Sequence, residues 1–236
     1  IKMISKEMER NIKENGGIRE AFNEARRQKT LYGEENVFDL SIGNPSAPAP
    51  RKVVDVIKKL SENVNLDHQY MCESGYEEVR SKIAGWMNQK YKTSYGINNI
   101  IMTNGVAGGL NMVLRALLNP GDEVLVFRPY YPAYIGFAEN WNGKIIEVDP
   151  GEDFQPDFED LEGKITKRTK VVIVNSPHNP TGVIYTKETA TKISEILKSK
   201  QKEYGHAICL LSDEPYRDLV YIEEELPWWP DFYQNT

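Results

Sequence analysis

The residues best suited to chemistry stand near the end of the sequence, directly after the apolar run at 208–211. Such a run indicates a buried strand, and Asp213 and Tyr216 follow it. A carboxylate at the end of a buried strand is costly unless a cation or several hydrogen-bond donors pair with it. A protonated pyridinium ring is one such cation. A magnesium site is disfavoured because Asp213 and Glu214 are adjacent, whereas carboxylates on one face of a strand stand two apart.

A second stretch, at 103–109, contains Gly105, Gly108 and Gly109 at the start of an apolar helical pattern. The first N–H groups of a helix are unpaired and the helix dipole is positive there, so a phosphate can bind. The stretch matches neither the G-x-G-x-x-G fingerprint nor the G-x-x-x-x-G-K-[ST] loop. By itself it is equally compatible with a glycine-rich turn that binds no ligand.

Two further polar stretches each follow an apolar run. Residues 128–134 carry three tyrosines, whose rings can stack on a flat ligand or simply pack over the edge of a sheet. Residues 175–182 carry Asn175 and Asn179, whose amides can point at a ligand from a rigid turn. His178 lies between two prolines without a second metal ligand at suitable spacing, which favours a structural role.

Strands and helices in alternation would bring these four stretches together. Apolar runs predict strands at 37–42, 100–103, 124–127, 145–148, 171–174 and 208–211. Apolar spacings of three and four predict helices at 53–64, 79–87, 105–117 and 187–204, with one or two surface helices within 3–32, broken at Gly16 and Gly17. The pattern indicates an α/β fold with a mostly parallel sheet and helices on both faces. In such sheets ligands bind beyond the carboxyl ends of the strands.

Several short motifs accompany the four stretches: SIGNP at 41–45, GYEEVR at 75–80, NPGDEV at 119–124 and NPTG at 179–182. From about Asp39 to Tyr221 the chain resembles the class I/II aminotransferases of fold type I, which depend on pyridoxal 5'-phosphate (PLP). The resemblance implies a partial PLP-binding large domain at 51–236. It also implies that the helical segment at 1–50 belongs to the small domain or dimer arm.

The resemblance implies a phosphate site and a stacking partner for the cofactor. The backbone N–H groups of Gly105, Val106 and Ala107 would hold the phosphate. Tyr131 would stack on the pyridine ring. The chain departs from many relatives at Ala107, where a serine or threonine is common, so a side-chain contact to the phosphate is expected to be missing.

The other implied roles concern the ring and the substrate. Asn179 and Tyr216 would hydrogen-bond the phenolic oxygen of the ring, and Asp213 would pair with the pyridine nitrogen and keep it protonated. Tyr70 would reach the phosphate of a neighbouring subunit, which implies a homodimer. Gly43, within SIGNP, belongs to the motif of the substrate loop. No metal is implied.

The family's catalytic lysine, which forms the Schiff base with PLP, lies beyond the motif aspartate, and no lysine follows Asp213. The catalytic residue is therefore left unassigned, and we expect the chain to be the N-terminal part of a longer protein and to be inactive alone. The full-length protein is expected to move an amino group between an amino acid and a 2-oxo acid. The alternatives are a PLP-dependent carbon–sulfur lyase or synthase, and a non-catalytic fragment or binding module.

The composition indicates which classes of partner are disfavoured and which cellular compartment is favoured. The formal net charge is −6, with no block of like charges, which argues against nucleic acid and anionic membranes as partners. Cys72 and Cys209 are far apart and form no metal-binding or disulfide pattern, and no apolar run is long enough to cross a membrane. These features favour the reducing cytoplasm.

Overall fold

A computed structural model of the chain describes residues 3–14, 17–41, 43, 47–63 and 70–236. These residues divide into two compact units, Ile1–Tyr70 and Met71–Thr236. The predicted assignment of 1–50 to a small domain or dimer arm, and of 51–236 to a large domain, stays a prediction.

The first unit contains three described helices. They are α1 (Lys6–Glu14), α2 (Gly17–Tyr32) and α3 (Arg51–Ser61). One or two N-terminal helices were predicted within 3–32, broken at Gly16 and Gly17, of which Gly16 lies outside the described residues. Helix α3 ends before Val64, the last position of the predicted apolar pattern, which also lies outside them.

The strand predicted at 37–42 is wrong for its described part, residues 37–41, which form no strand. The alternation of apolar Phe38 and Leu40 suggested one, but both side chains are almost fully exposed. A strand is stabilised by hydrogen bonds to a neighbour, and no described residue pairs with this segment in a sheet. Ile42 lies outside the described residues.

The second unit contains the sheet and the helices that cover it. Its helices are α4 (Glu77–Tyr91), α5 (Gly105–Leu117), α6 (Ala133–Glu139), α7 (Phe158–Lys164) and α8 (Lys187–Tyr204). Its strands are β1 (Glu123–Phe127), β2 (Lys144–Val148), β3 (Thr169–Asn175) and β4 (Cys209–Asp213). The four strands predicted from residue 124 onward are all present, within two residues at either end.

The sheet is parallel throughout, in the order β2-β1-β3-β4. Its strands are largely apolar because both faces are covered, as is usual for parallel sheets. Strands β3 and β4 pair in a register that sets Asn175 beside Asp213 at their carboxyl ends. The structure thus confirms the predicted α/β fold with a parallel sheet.

Alternate residues of each strand supply two separate hydrophobic cores. Leu125 of β1 and Val172 of β3 pack with α7 and α8 on one face. Val124 of β1 and Val171 of β3 pack with α5 and α6 on the other. Helices therefore cover both faces, and none of the helices in the described part of the chain is long and apolar enough to cross a membrane.

The strand predicted at 100–103 is also wrong. This segment joins no sheet, and among its residues Ile101 and Met102 are exposed, with the Met102 N–H bonded to the Ser74 carbonyl at 2.9 Å. Within the described residues β4 is the outermost strand on its side of the sheet. The Leu210 N–H on β4 donates to the Asn235 carbonyl at 2.8 Å, and an apolar groove of about 610 Å³ borders the strand.

Candidate functional site

The carboxyl ends of the strands open into a cavity of about 240 Å³. Six of the predicted site residues line it: Val106, Ala107, Tyr131, Asn179, Asp213 and Tyr216. The five others that line it are Leu110, Tyr134, Phe137, Asn175 and Pro215. Topology explains this convergence, because the loops after parallel strands and the start of α5 meet at one edge of the sheet.

Asp213, the last residue of β4, is 6% exposed and has two unequal carboxylate oxygens. Its Oδ2 accepts a hydrogen bond from the Tyr134 hydroxyl at 2.5 Å. Its Oδ1 is buried and has no hydrogen-bond partner among the described residues. Burial raises the pKa of Asp213 above its ordinary value, and the hydrogen bond from Tyr134 opposes that rise. A buried acceptor left without a donor is costly and suits a cationic N–H donor from a ligand.

Asn175 connects the ends of β3 and β4 through hydrogen bonds made by both the N–H₂ group and the oxygen of its side-chain amide. Its Nδ2 donates to the backbone carbonyl of Asp213 at 2.8 Å, and its Oδ1 accepts from the Asn179 N–H at 2.7 Å. The sequence indicated that both asparagine amides can point at a ligand. The structure shows the Asn175 amide holding two neighbouring segments of backbone, while the residue also lines the cavity.

Asn179 and Tyr216 come from different loops and meet at the cavity. The Asn179 Nδ2 donates to the Tyr216 hydroxyl at 3.3 Å, and both side chains are partly buried. His178 beside them is buried and contacts Thr181 Oγ1 through Nδ1 at 2.8 Å, and burial lowers its pKa. This bond fits the structural interpretation of His178. Among the described residues, no group of three or more His, Cys, Asp or Glu side chains is placed to hold a metal ion.

The start of α5 forms another wall of the cavity. Gly105 has a φ of +71°, in the left-handed region that favours glycine, and the Asn104 side chain makes no capping hydrogen bond. The Gly105 N–H donates to the Thr103 carbonyl at 2.9 Å. The N–H groups of Val106 and Ala107 stand in the first helical turn, where the helix itself offers no acceptor.

Tyr131 stands between β1 and α6 and is 42% exposed. Its ring meets that of Tyr134 edge to face, with the ring centres 5.7 Å apart. Tyr134 and Asn175 belong to stretches that the sequence singled out, but sequence reasoning did not predict that both hydrogen-bond Asp213. A signal for Tyr134 existed, because residues three apart around a helix start lie on the same side.

Two predicted site residues belong to the first unit. Gly43 and Tyr70 are both exposed. Their roles at a substrate loop and at a neighbouring subunit stay predictions.

Comparison with known proteins agrees with the fold. A sequence model of the family "Aminotransferase class I and II" matches residues 35–231. The aspartate aminotransferase of Thermotoga maritima is 32% identical over 203 residues, which cover 85% of this chain and 52% of that protein. The glutamate-pyruvate aminotransferase AlaA of Escherichia coli is 33% identical over 220 residues, with 88% of this chain and 52% of that protein covered.

A solved aminotransferase from Eubacterium rectale superposes with a TM-score of 0.92 and 38% identity, over 100% of this chain and 60% of that one. The alanine aminotransferase of Pyrococcus furiosus gives a TM-score of 0.77 and 31% identity, over 89% and 52%. The chain belongs to the class I and II aminotransferase family. Members of this family use pyridoxal 5'-phosphate. The chain spans about half the length of the curated relatives that it matches.

Proposed function

We propose that the full-length protein is a PLP-dependent aminotransferase that transfers an amino group between an amino acid and a 2-oxo acid. The observation that carries this proposal is the buried Oδ1 of Asp213, which lacks a donor among the described residues at the wall of a cavity. Bound PLP supplies a protonated ring that withdraws electrons from the substrate carbon. Asp213 would accept the hydrogen bond of the ring N–H and hold that proton in place.

The remaining wall of the cavity suits the rest of the cofactor. The N–H groups of Val106 and Ala107 would donate to the phosphate, and the dipole of α5 favours its negative charge. Gly105 would join them once its N–H exchanges the Thr103 carbonyl for a phosphate oxygen. Ala107 offers no hydroxyl, so this site would rely on backbone donors.

The aromatic and amide side chains would orient the ring. Tyr131 would cover one face of it. The Asn179 amide and the Tyr216 hydroxyl, already paired with each other, would donate to its phenolic oxygen.

The proposal also covers the oligomeric state and the domain organisation of the protein. The active protein would be a cytoplasmic homodimer in which Tyr70 reaches the phosphate of the neighbouring subunit and Gly43 lies in the substrate loop. Residues 51–236 would then belong to the cofactor-binding large domain and 1–50 to the small domain or dimer arm.

The test uses the purified full-length protein with PLP and an amino acid labelled with ¹⁵N. The expected results are a visible absorption band on adding PLP, a borohydride-fixed adduct at one lysine per chain, and recovery of the label in a new amino acid made from the added 2-oxo acid. Release of labelled ammonia without transfer of the label would contradict the proposal and favour a lyase.

The matched variants are Asp213→Asn in the cavity and Asp231→Asn, an exposed carboxylate in the segment after β4. Removing the charge at Asp213 is expected to weaken PLP binding by about a hundredfold, because a charged hydrogen bond is lost. Asp231→Asn is expected to bind PLP like the wild type. Equal affinities for both variants would remove Asp213 from the site.

A further inference from the structure

The hydroxyl of Tyr134 hydrogen-bonds one carboxylate oxygen of Asp213. Tyr134 lies in the first turn of α6, is 2% exposed, and donates to Oδ2 of Asp213 at 2.5 Å. The two residues are far apart in the sequence, on α6 and at the end of β4. The contact therefore joins the loop after β1 to the carboxyl end of β4.

This contact makes the two oxygens of Asp213 different. Oδ2 has a short hydrogen bond, whereas Oδ1 is buried without a partner among the described residues. The backbone of Asp213 is held as well, by the Asn175 amide on its carbonyl. A carboxylate fixed on both sides in this way presents one oxygen in one orientation.

We propose that Tyr134 is a positioning residue, which fixes Asp213 through Oδ2 so that Oδ1 is presented to the ring nitrogen of the cofactor. This inference rests on the proposed function, because it assumes the pairing of Asp213 with that nitrogen. It adds a residue that neither the motif nor the family resemblance assigned.

The electrostatics of the pair support this role. Burial raises the pKa of Asp213, and the Tyr134 hydrogen bond lowers it, so the hydroxyl favours the charged carboxylate. Burial and the nearby Asp213 charge raise the pKa of Tyr134, so its hydroxyl keeps the proton that it donates. Without the hydroxyl, Asp213 would hold a proton more readily, and a neutral acid stabilises a protonated ring nitrogen poorly.

A purely structural role is the competing explanation. The Tyr134 ring belongs to the core between the sheet and α5 and meets the Tyr131 ring at about a right angle, with an interplanar angle of 89°. Tyr134→Phe separates the two roles, since phenylalanine keeps the ring and removes only the hydroxyl. A role in packing alone would leave cofactor recognition unchanged in this variant.

The experiment compares the dissociation constants of PLP and of 1-deazapyridoxal phosphate, in which CH replaces the ring nitrogen, in the full-length protein. Only PLP can use Asp213, so the ratio of the two constants measures that interaction. We expect the preference for PLP to fall by about tenfold in Tyr134→Phe, as for the loss of one hydrogen bond to a charged group. The ¹⁵N shift of ring-labelled PLP is expected to move toward the value of neutral pyridine.

Tyr130→Phe is the matched control, because the Tyr130 hydroxyl also bonds a carboxylate, Glu147 Oε1, at 2.6 Å, and Tyr130 does not line the cavity. An unchanged ratio and ¹⁵N shift in Tyr134→Phe would overturn the inference, as would an equal change in Tyr130→Phe. A wild-type protein that binds both compounds equally would instead overturn the proposed pairing of Asp213 with the cofactor. The two failures are therefore distinguishable.

Discussion

At the scale of single residues, Asp213 combines near-complete burial with a carboxylate oxygen that has no donor among the described residues. This arrangement weakens the cofactor-free protein at neutral pH, because a buried charge is incompletely paired. Asp213→Asn keeps an acceptor for the Tyr134 hydroxyl and removes the charge. We expect it to raise the free energy of unfolding of the cofactor-free protein by roughly 1 kcal/mol at neutral pH.

The stability difference between Asp213→Asn and the wild type should depend on pH, because Asp213 titrates and asparagine does not. Burial raises the pKa of Asp213 above the ordinary 3.8, so the folded protein holds the proton more tightly than the unfolded chain. Stability from this group is fully present below the ordinary pKa and is lost as the pH rises through the folded-state value. The advantage of the asparagine variant should therefore shrink as the pH falls. Denaturant unfolding from neutral to acidic pH measures it, and a difference that is independent of pH would contradict the prediction.

Four polar stretches after apolar runs placed the site at one edge of the sheet, and the family resemblance then assigned the individual residues that line the cavity, such as Tyr131, Asn179 and Asp213. The contacts of Asn175 and Tyr134 with Asp213 were not predicted. Their roles depend on which neighbour their polar atoms contact, and those contacts join β3 to β4 and α6 to β4. Spacing along the chain does not encode such pairings.

At the scale of elements, the start of α5 depends on the left-handed backbone of Gly105. A side chain there has open space around it, so the cost of Gly105→Ala is conformational. We expect this variant to lower the free energy of unfolding by about 1 kcal/mol and to weaken PLP binding, because the donors of the first turn shift.

Gly85 is the matched control for that prediction. It lies inside α4, exposed and with open space for a methyl group. Gly85→Ala is expected to stabilise the protein by roughly 0.5–1 kcal/mol, since alanine is the better helix former. Thermal unfolding of both variants checks the pair, and destabilisation of equal size in both would exclude the conformational explanation.

The long helices were predicted well and the short helices poorly. Helix α8 has the predicted bounds because its apolar spacing persists over 18 residues. Helices α6 and α7 have 7 residues each, too few for a periodic signal, and were not predicted. The two wrong strands had a suitable local pattern, but a pattern cannot supply a hydrogen-bonding neighbour.

At the scale of the whole molecule, the proposed role of Tyr70 concerns two subunits. If Tyr70 completes the site of its neighbour, mixed dimers of Tyr70→Ala and Asp213→Asn subunits contain one doubly altered site and one intact site. Random mixing should then restore roughly a quarter of the wild-type activity from two weakly active variants.

The measurement is the transamination rate of the mixed, co-expressed dimers of the full-length protein. The control is the double variant Tyr70→Ala, Asp213→Asn mixed with itself, which should stay at the level of the single variants or lower. If Tyr70 acts within its own subunit, each site of a mixed dimer carries one defect, and the mixture should show only the average of its parents.

The α/β class was predictable because apolar strands separated by helices or loops are typical of a mostly parallel sheet with helices on its faces. The order of the strands was less accessible, because β1 lies between β2 and β3 rather than at the edge that chain order suggests. Parallel pairing between distant segments depends on the packing of the helices between them.

The position of β4 has a practical consequence. Its outer side carries backbone groups beside an apolar groove, and the segment near Asn235 covers only part of that side. An open strand edge next to apolar surface is a template on which another chain can add its own strand. We expect the chain of residues 1–236 to self-associate through this edge at high concentration.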